Sequence, residues 1–182
     1  MAGEQAPWYN VVLALPTPVE RLVRVAGQGV IPPPPAPWVP RLTMRWPSVL
    51  LAAEAEAAAA LSRALRPVPP LTVSIEGWGV YPSGTVYLQV LPSPQLLRLH
   101  GAVRQALTPL SRELMPERDG PGWHPHIDIS PAAALDLLAL VGRLRSAAFA
   151  PQASFACNRV RLARRNSDGT WQVVHEVRLG AA

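Results

Sequence analysis

Trp123-His124-Pro125-His126-Ile127-Asp128-Ile129-Ser130 decides how this sequence is read. Polar and apolar residues alternate, so a strand here directs His126, Asp128 and Ser130 to one face and Ile127 and Ile129 to the other. A weaker echo lies upstream at Arg41-Leu42-Thr43-Met44-Arg45-Trp46. The same spacing puts Arg41, Thr43 and Arg45 on one face and turns Trp46 to the packing side. Each strand runs into a helix start: Pro47-Ser48 before an alanine-rich run, and Ser130-Pro131 before Ala132-Ala133-Ala134-Leu135. A strand-to-helix unit used twice predicts a duplicated lobe with a cleft between the copies.

Working outward, Trp8 to Leu15 reads as a buried strand, and Pro16-Thr17-Pro18 opens a short helix to about Ala26. The proline-rich run from Ile31 to Pro40 predicts a stiff, extended connector with few backbone donors. Ser48 to Arg66 is expected to be helical, with Leu50, Leu51, Leu61 and Leu65 as anchors, ended by Pro67. Two strands follow near Leu71 to Gly79 and Thr85 to Leu91, joined by a turn containing Tyr81-Pro82-Ser83-Gly84. Ser93-Pro94 starts a leucine-rich helix, and Pro131 to Ala148 is expected to form another. A last hairpin is expected to pair Ser154 to Arg164 with Thr170 to Leu179. Interleaved strands and helices with hairpins make the fold class α+β, and residues 1–182 are expected to form one bilobal unit.

Of 182 residues, 49% are hydrophobic, and no apolar run approaches a membrane span, so no membrane association is expected. The start Met1-Ala2-Gly3-Glu4-Gln5 does not resemble a signal peptide, and Cys157, the one cysteine, reads as a free buried thiol. A cytoplasmic setting is expected. The net charge is +5, carried entirely by arginine, which permits an anionic ligand without demanding one. Arg159, Arg161 and Arg165 are expected to share a face of the last hairpin, where they could meet a nucleic-acid backbone or only solvent. The four histidines lack a metal-binding spacing, so neither a metal nor another cofactor is expected.

The chain resembles the two-histidine phosphoesterase superfamily, the 2'-5' RNA ligase-like family. Trp123 to Ser130 resembles that family's second motif, Pro40 to Pro47 its first, and Gly77 to Pro82 followed by Thr85 to Val90 its middle hairpin. The resemblance implies a duplicated α+β fold: two mainly antiparallel sheets around a central cleft, with helices outside. It also implies action on 2',3'-cyclic or 2'-5' phosphodiesters of RNA or nucleotides, by a phosphodiesterase or ligase that needs no metal.

Two departures bear on the chemistry. Where the first motif has histidine this chain has Arg41, with Thr43 kept; in the second, His126 is kept but Asp128 replaces a hydroxyl residue. The family reaction uses two proton-transfer groups on opposite sides of phosphorus, and histidine suits both roles. Arginine stays protonated at any working pH, so Arg41 can bind phosphate but not accept a proton. His126 is therefore the candidate catalytic residue. Arg41, Thr43, Asp128, His124 and Tyr81 are candidate substrate-binding residues, with an Arg41–Asp128 ion pair expected across the cleft; the alternative is that Arg41 clamps the phosphate, His126 is the acid and Asp128 the base. Three readings stand open: a weakened or altered phosphodiesterase, a non-catalytic RNA or nucleotide binder, and a scaffold that uses the fold alone.

Overall fold

A computed structural model of the protein describes residues 6–26, 40–130, 137–146 and 151–181. In chain order its elements are β1 (Trp8–Leu13), α1 (Thr17–Ala26), β2 (Leu42–Leu50), α2 (Glu54–Leu65), β3 (Leu71–Val80), β4 (Val86–Val90), α3 (Pro94–Leu107), β5 (Ser111–Glu113), β6 (His126–Ser130), α4 (Leu137–Ser146), β7 (Gln152–Cys157), β8 (Arg159–Arg165) and β9 (Trp171–Arg178). The expected α+β class is what forms. The connector from Ile31 and the helix start at Pro131 lie outside the described residues.

The strands run β7-β3-β4-β6-β2-β1-β8-β9, with β5 added to β2, and every pairing is antiparallel. The two expected sheets are thus halves of one curled sheet, joined where Leu42 of β2 faces Ile127 of β6. Curling is forced by connectivity. Asn158 alone separates β7 from β8, although the two stand far apart in the strand order. The Cys157 thiol, reaching the Ala14 carbonyl at 3.6 Å, bridges the two halves at that point.

Helix ends follow local chemistry. Ser93 Oγ accepts the Leu96 amide at 3.1 Å with Pro94 in the first turn, which caps α3. In α2 no side chain caps the start, and Glu54 and Glu56 instead meet the positive end of the helix dipole. Leu61 and Leu65 of α2 and Leu96, Leu99, Val103 and Leu107 of α3 join Leu13, Leu42, Met44, Leu88 and Ile127 from the sheet in one core.

Three expectations about elements change. The helix expected from Ser48 begins at Glu54, because β5 pairs with Ser48–Leu50 and holds them in β2, leaving Leu51 70% exposed. The strand expected over Ser154–Arg164 breaks at Asn158, since its first part pairs with β3 and its second with β1 and β9. The third change reaches the cleft. Thr43 faces Val12 and Arg45 faces Val11, so Met44 is an extra residue on β2, a bulge. Past it the facing reverses: Arg45 is buried at 1% exposure, and Trp46 comes beside His126 at 6.1 Å between ring centroids. Arg41 and Thr43, before the bulge, keep the facing opposite to buried Leu42 and Met44.

Candidate functional site

The seam between β2 and β6 sets the two motif strands side by side. On β6, Ile127 and Ile129 are buried in the core, so alternation leaves His126 and Asp128 on the concave face. His126 Nδ1 lies 2.7 Å from the His124 carbonyl oxygen. A carbonyl only accepts, so Nδ1 carries the hydrogen and Nε2 is the nitrogen left for chemistry. Nε2 faces Asp128 Oδ1 at 3.4 Å. Burial raises the Asp128 carboxyl above the ordinary carboxylate range, and the positive charges of His126, Arg41 and Arg118 offset only part of that rise.

Tyr81 reaches the site from the β3–β4 turn, which is closed by Gly84 N–H donating to the Tyr81 carbonyl at 2.8 Å, with Gly84 at φ 83°. Its hydroxyl lies 3.2 Å from His126 Nδ1 and 3.4 Å from His124 Nδ1. Burial, then the nearby Tyr87 and Asp128, push the phenol up to about 12, so it stays a neutral hydrogen-bonding group at neutral pH. His124 is held below the usual imidazole value by burial and by His126. Tyr87 lies 4.5 Å from the Tyr81 ring. It fits because position 79 is glycine; a Cβ there would overlap the Tyr87 ring.

Arg41 sits across from these groups, with its guanidinium 5.3 Å from the centre of the Trp171 ring. The expected Arg41–Asp128 ion pair does not form. Their charges act on each other, but the nearest cation to Asp128 is His126 on its own strand, and Arg41 rests on Trp171 instead. Thr43 lies next to the seam, its carbonyl accepting the Trp123 indole N–H at 3.1 Å.

Several site residues escape a reading of the sequence. Arg118, in the turn Pro116–Arg118, lies 4.8 Å over the Trp46 ring and acts on the charges of Asp128 and Tyr81. Its neighbour Asp119 points the other way into a buried network. Asp119 Oδ1 meets His100 Nε2 at 2.7 Å, Oδ2 lies 3.7 Å from Arg45, and Arg45 reaches Glu113 at 2.9 Å. His100 stacks on Trp123 at 4.0 Å, so Trp123 is a buried prop behind the site. Burial alone would raise the Asp119 carboxyl; His100, Arg45 and Arg104 outweigh it and hold the group below its ordinary value. The one available signal was His100 in an otherwise apolar helix face, which demands a buried partner.

The arginine stripe on the last hairpin is largely engaged. Arg159 and Arg161 both meet Glu176, Arg164 meets Glu54, and Arg165 stacks over Trp8. Burial pushes the Cys157 thiol up to about 12, which removes it as a nucleophile. Among the described residues, no group of three His, Cys, Asp or Glu side chains could hold a metal ion, and no helix is long and apolar enough to cross a membrane.

A two-lobed curled sheet with a histidine on the seam defines a phosphoesterase-like fold, and solved structures share it. Escherichia coli LigT complexed with 3'-AMP matches at TM-score 0.66 and 21% identity, covering 96% of this chain and 99% of that one. A structure described as a phosphoesterase matches at TM-score 0.63 and 20% identity, covering 95% of this chain and 98% of that one. TT0787 of Thermus thermophilus matches at TM-score 0.61 and 17% identity, covering 95% of this chain and 98% of that one. No curated protein matches this sequence closely. The chain belongs to the 2'-5' RNA ligase superfamily, whose family model matches residues 14–169.

Proposed function

We propose that the cleft recognises a phosphodiester of RNA or of a nucleotide, 2',3'-cyclic or 2'-5' linked, and turns it over slowly with His126 as its one proton-transfer group. The observation that carries this reading is a histidine of fixed tautomer on β6 and a permanent cation, Arg41, at the start of β2 across the seam. His126 Nδ1 is committed to the His124 carbonyl, leaving Nε2 to give or take a proton. Arg41 clamps a phosphoryl oxygen, and the Thr43 hydroxyl and Tyr81 phenol donate to others. LigT, complexed with 3'-AMP, NADP+ and ATP, supports a nucleotide as the ligand class.

With Arg41 in place, protonation of the leaving oxygen and activation of the attacking oxygen cannot be split between two histidines. Loss of one such group costs roughly 10²–10⁴-fold in rate. Asp128 lowers affinity further while ionised, because it repels the phosphate that Arg41 attracts. The cytoplasmic setting expected from the sequence accords with an RNA or nucleotide substrate and a free thiol at Cys157. The test is incubation with a 2',3'-cyclic nucleotide and a short 2'-5' linked RNA beside a His126→Ala variant. Slow turnover that the variant abolishes supports the reading. Equal turnover by both proteins removes His126 from the mechanism. Salt-sensitive binding without turnover establishes the second reading, a non-catalytic binder.

A further inference from the structure

Among the described residues arginine lies over tryptophan at three places: Arg41 at 5.3 Å from the Trp171 ring centre, Arg118 at 4.8 Å from Trp46 and Arg165 at 4.8 Å from Trp8. The first two belong to the cleft; the third lies outside it. Strand register fixes where. Arg164 pairs with Tyr9, and both reach Glu54 of α2, so these two residues face the helix layer. Alternation turns their neighbours Arg165 and Trp8 to the opposite face, and Trp171, paired with Arg165, joins them. That is the face on which Trp171 meets Arg41. Because β1 and β9 flank β8, Trp8 stands two strand spacings, roughly 10 Å, from Trp171.

Trp8, Arg164, Arg165, Asn166 and Ser167 line an open cavity of about 980 Å³ there, at the upper end of the roughly 300–1,000 Å³ of ligand pockets. No carboxylate among the described residues lines it. Asp168, in the same turn, bonds its carboxylate to the Thr170 amide at 2.9 Å and hydroxyl at 2.6 Å. The arginines of the hairpin divide sharply. Glu176 holds Arg159 and Arg161, and Glu54 holds Arg164, whereas exposed Arg165 makes no ion pair among the described residues. Arg41 makes none either and rests on its indole. A salt bridge neutralises its arginine; stacking on an indole leaves the charge in place and the N–H donors free. Two uncompensated cations, each with an indole beside it, thus follow one another along the face. Single-stranded nucleic acid matches that arrangement, because phosphates repeat along its backbone and each base presents a flat face to an aromatic ring. An acidic peptide would satisfy the arginines and leave the indoles unused.

Resting on the phosphate-recognition reading of the cleft, we propose that the Trp8–Arg165 surface binds the continuing strand of a single-stranded RNA whose reactive phosphodiester lies between Arg41 and His126. A base stacks on Trp8, Arg165 turns its donors to a backbone phosphate, and Trp171 lines the path between the two sites. The preferred ligand is an oligonucleotide rather than a mononucleotide.

The test is titration of the full chain with a 2',3'-cyclic mononucleotide and with a single-stranded RNA of about five nucleotides ending in the same cyclic phosphate. The oligonucleotide should bind about ten-fold more tightly or better. Trp8→Ala should weaken the oligonucleotide about ten-fold, as loss of one stacked base does, and leave the mononucleotide unchanged. Should Trp8→Ala not fold, Arg165→Gln, an exposed change, should flatten the slope of log affinity against log salt by about 0.7 for the oligonucleotide alone. A glutamate peptide of matching charge should not displace the RNA. Displacement by that peptide at similar concentration, equal affinity for the two nucleotides, or an equal loss of both in Trp8→Ala overturns the surface while leaving phosphate recognition intact. Binding of neither nucleotide overturns both.

Discussion

Asp128 Oδ1 stands 3.4 Å from His126 Nε2, so a carboxylate occupies the side of the imidazole that an incoming phosphate would approach.

Stability should depend on pH through Asp128 with a definite sign. Its carboxyl is raised in the folded protein, so folding binds its proton more tightly than the unfolded chain does. The cost of ionising it is absent below the ordinary carboxylate value of about 3.9 and fully present above its folded value. Asp128→Asn should therefore be more stable than the unmodified protein at neutral pH, with the gap closing as pH falls towards about 4. Thermal unfolding across that range checks it, and a gap that widens on acidification contradicts the raised value.

Asp119 should behave oppositely. Its value is depressed by His100, Arg45 and Arg104, so its contribution is held above the ordinary carboxylate value and lost as pH falls through the depressed one. Its side chain is fully buried. Asp119→Ala leaves Arg45 and His100 without their shared anion, a change that typically costs about 3–5 kcal/mol. A chain of this size loses roughly 2–4 °C per kcal/mol, so the melting temperature should fall by about 10 °C. A drop below about 3 °C would show that the network contributes little.

Arg118 should separate from Asp119 in its effects. It lies over Trp46 at the cleft, outside the buried network. An exposed cation–π contact is worth about 0.5–1 kcal/mol, so Arg118→Ala should melt within a few degrees of the unmodified protein. Its loss should weaken nucleotide binding and flatten the dependence of affinity on salt. Titrations at low and moderate salt read both effects; unchanged affinity at low salt would remove Arg118 from the site.

Gly79 offers a steric test of the aromatic wall. Alanine there overlaps the Tyr87 ring, which must leave its place against Tyr81 and His126. Overpacking of this kind typically costs about 1–3 kcal/mol. Gly79→Ala should fold, lose some stability and bind nucleotide more weakly. Wild-type affinity would show that Tyr87 does not shape the site.

How much of this was legible beforehand divides along β2. The alternation through His126-Ile127-Asp128-Ile129 holds, because β6 runs without a bulge between His126 and Asp128 and both its isoleucines are buried. The same reasoning on β2 works for Arg41 and Thr43 and fails at Arg45 and Trp46, because the Met44 bulge shifts the register by one residue. No local composition marks that bulge; it follows from how β1 pairs with β2. Likewise Ser48–Leu50 read as helix because their strand partner, β5, comes from residues much later in the chain. Trp171, near the end of the chain, meets the Arg41 guanidinium only because β8 and β9 return beside β1. The family resemblance pointed to His126 and Arg41 as the residues to watch. It could not show that Asp128 turns to His126 rather than to Arg41.

The central claim is that Arg41 takes the place of a second proton-transfer group and holds the reaction back. Turnover of a 2',3'-cyclic nucleotide by Arg41→His, compared at neutral pH with the unmodified protein, tests it most directly. Restoring a titratable group opposite His126 should raise kcat by about ten-fold or more, within the roughly 10²–10⁴-fold that such a group contributes, and His126→Ala in the same background should abolish the gain. A kcat that is unchanged or lower in Arg41→His, with the fold intact, would contradict the account.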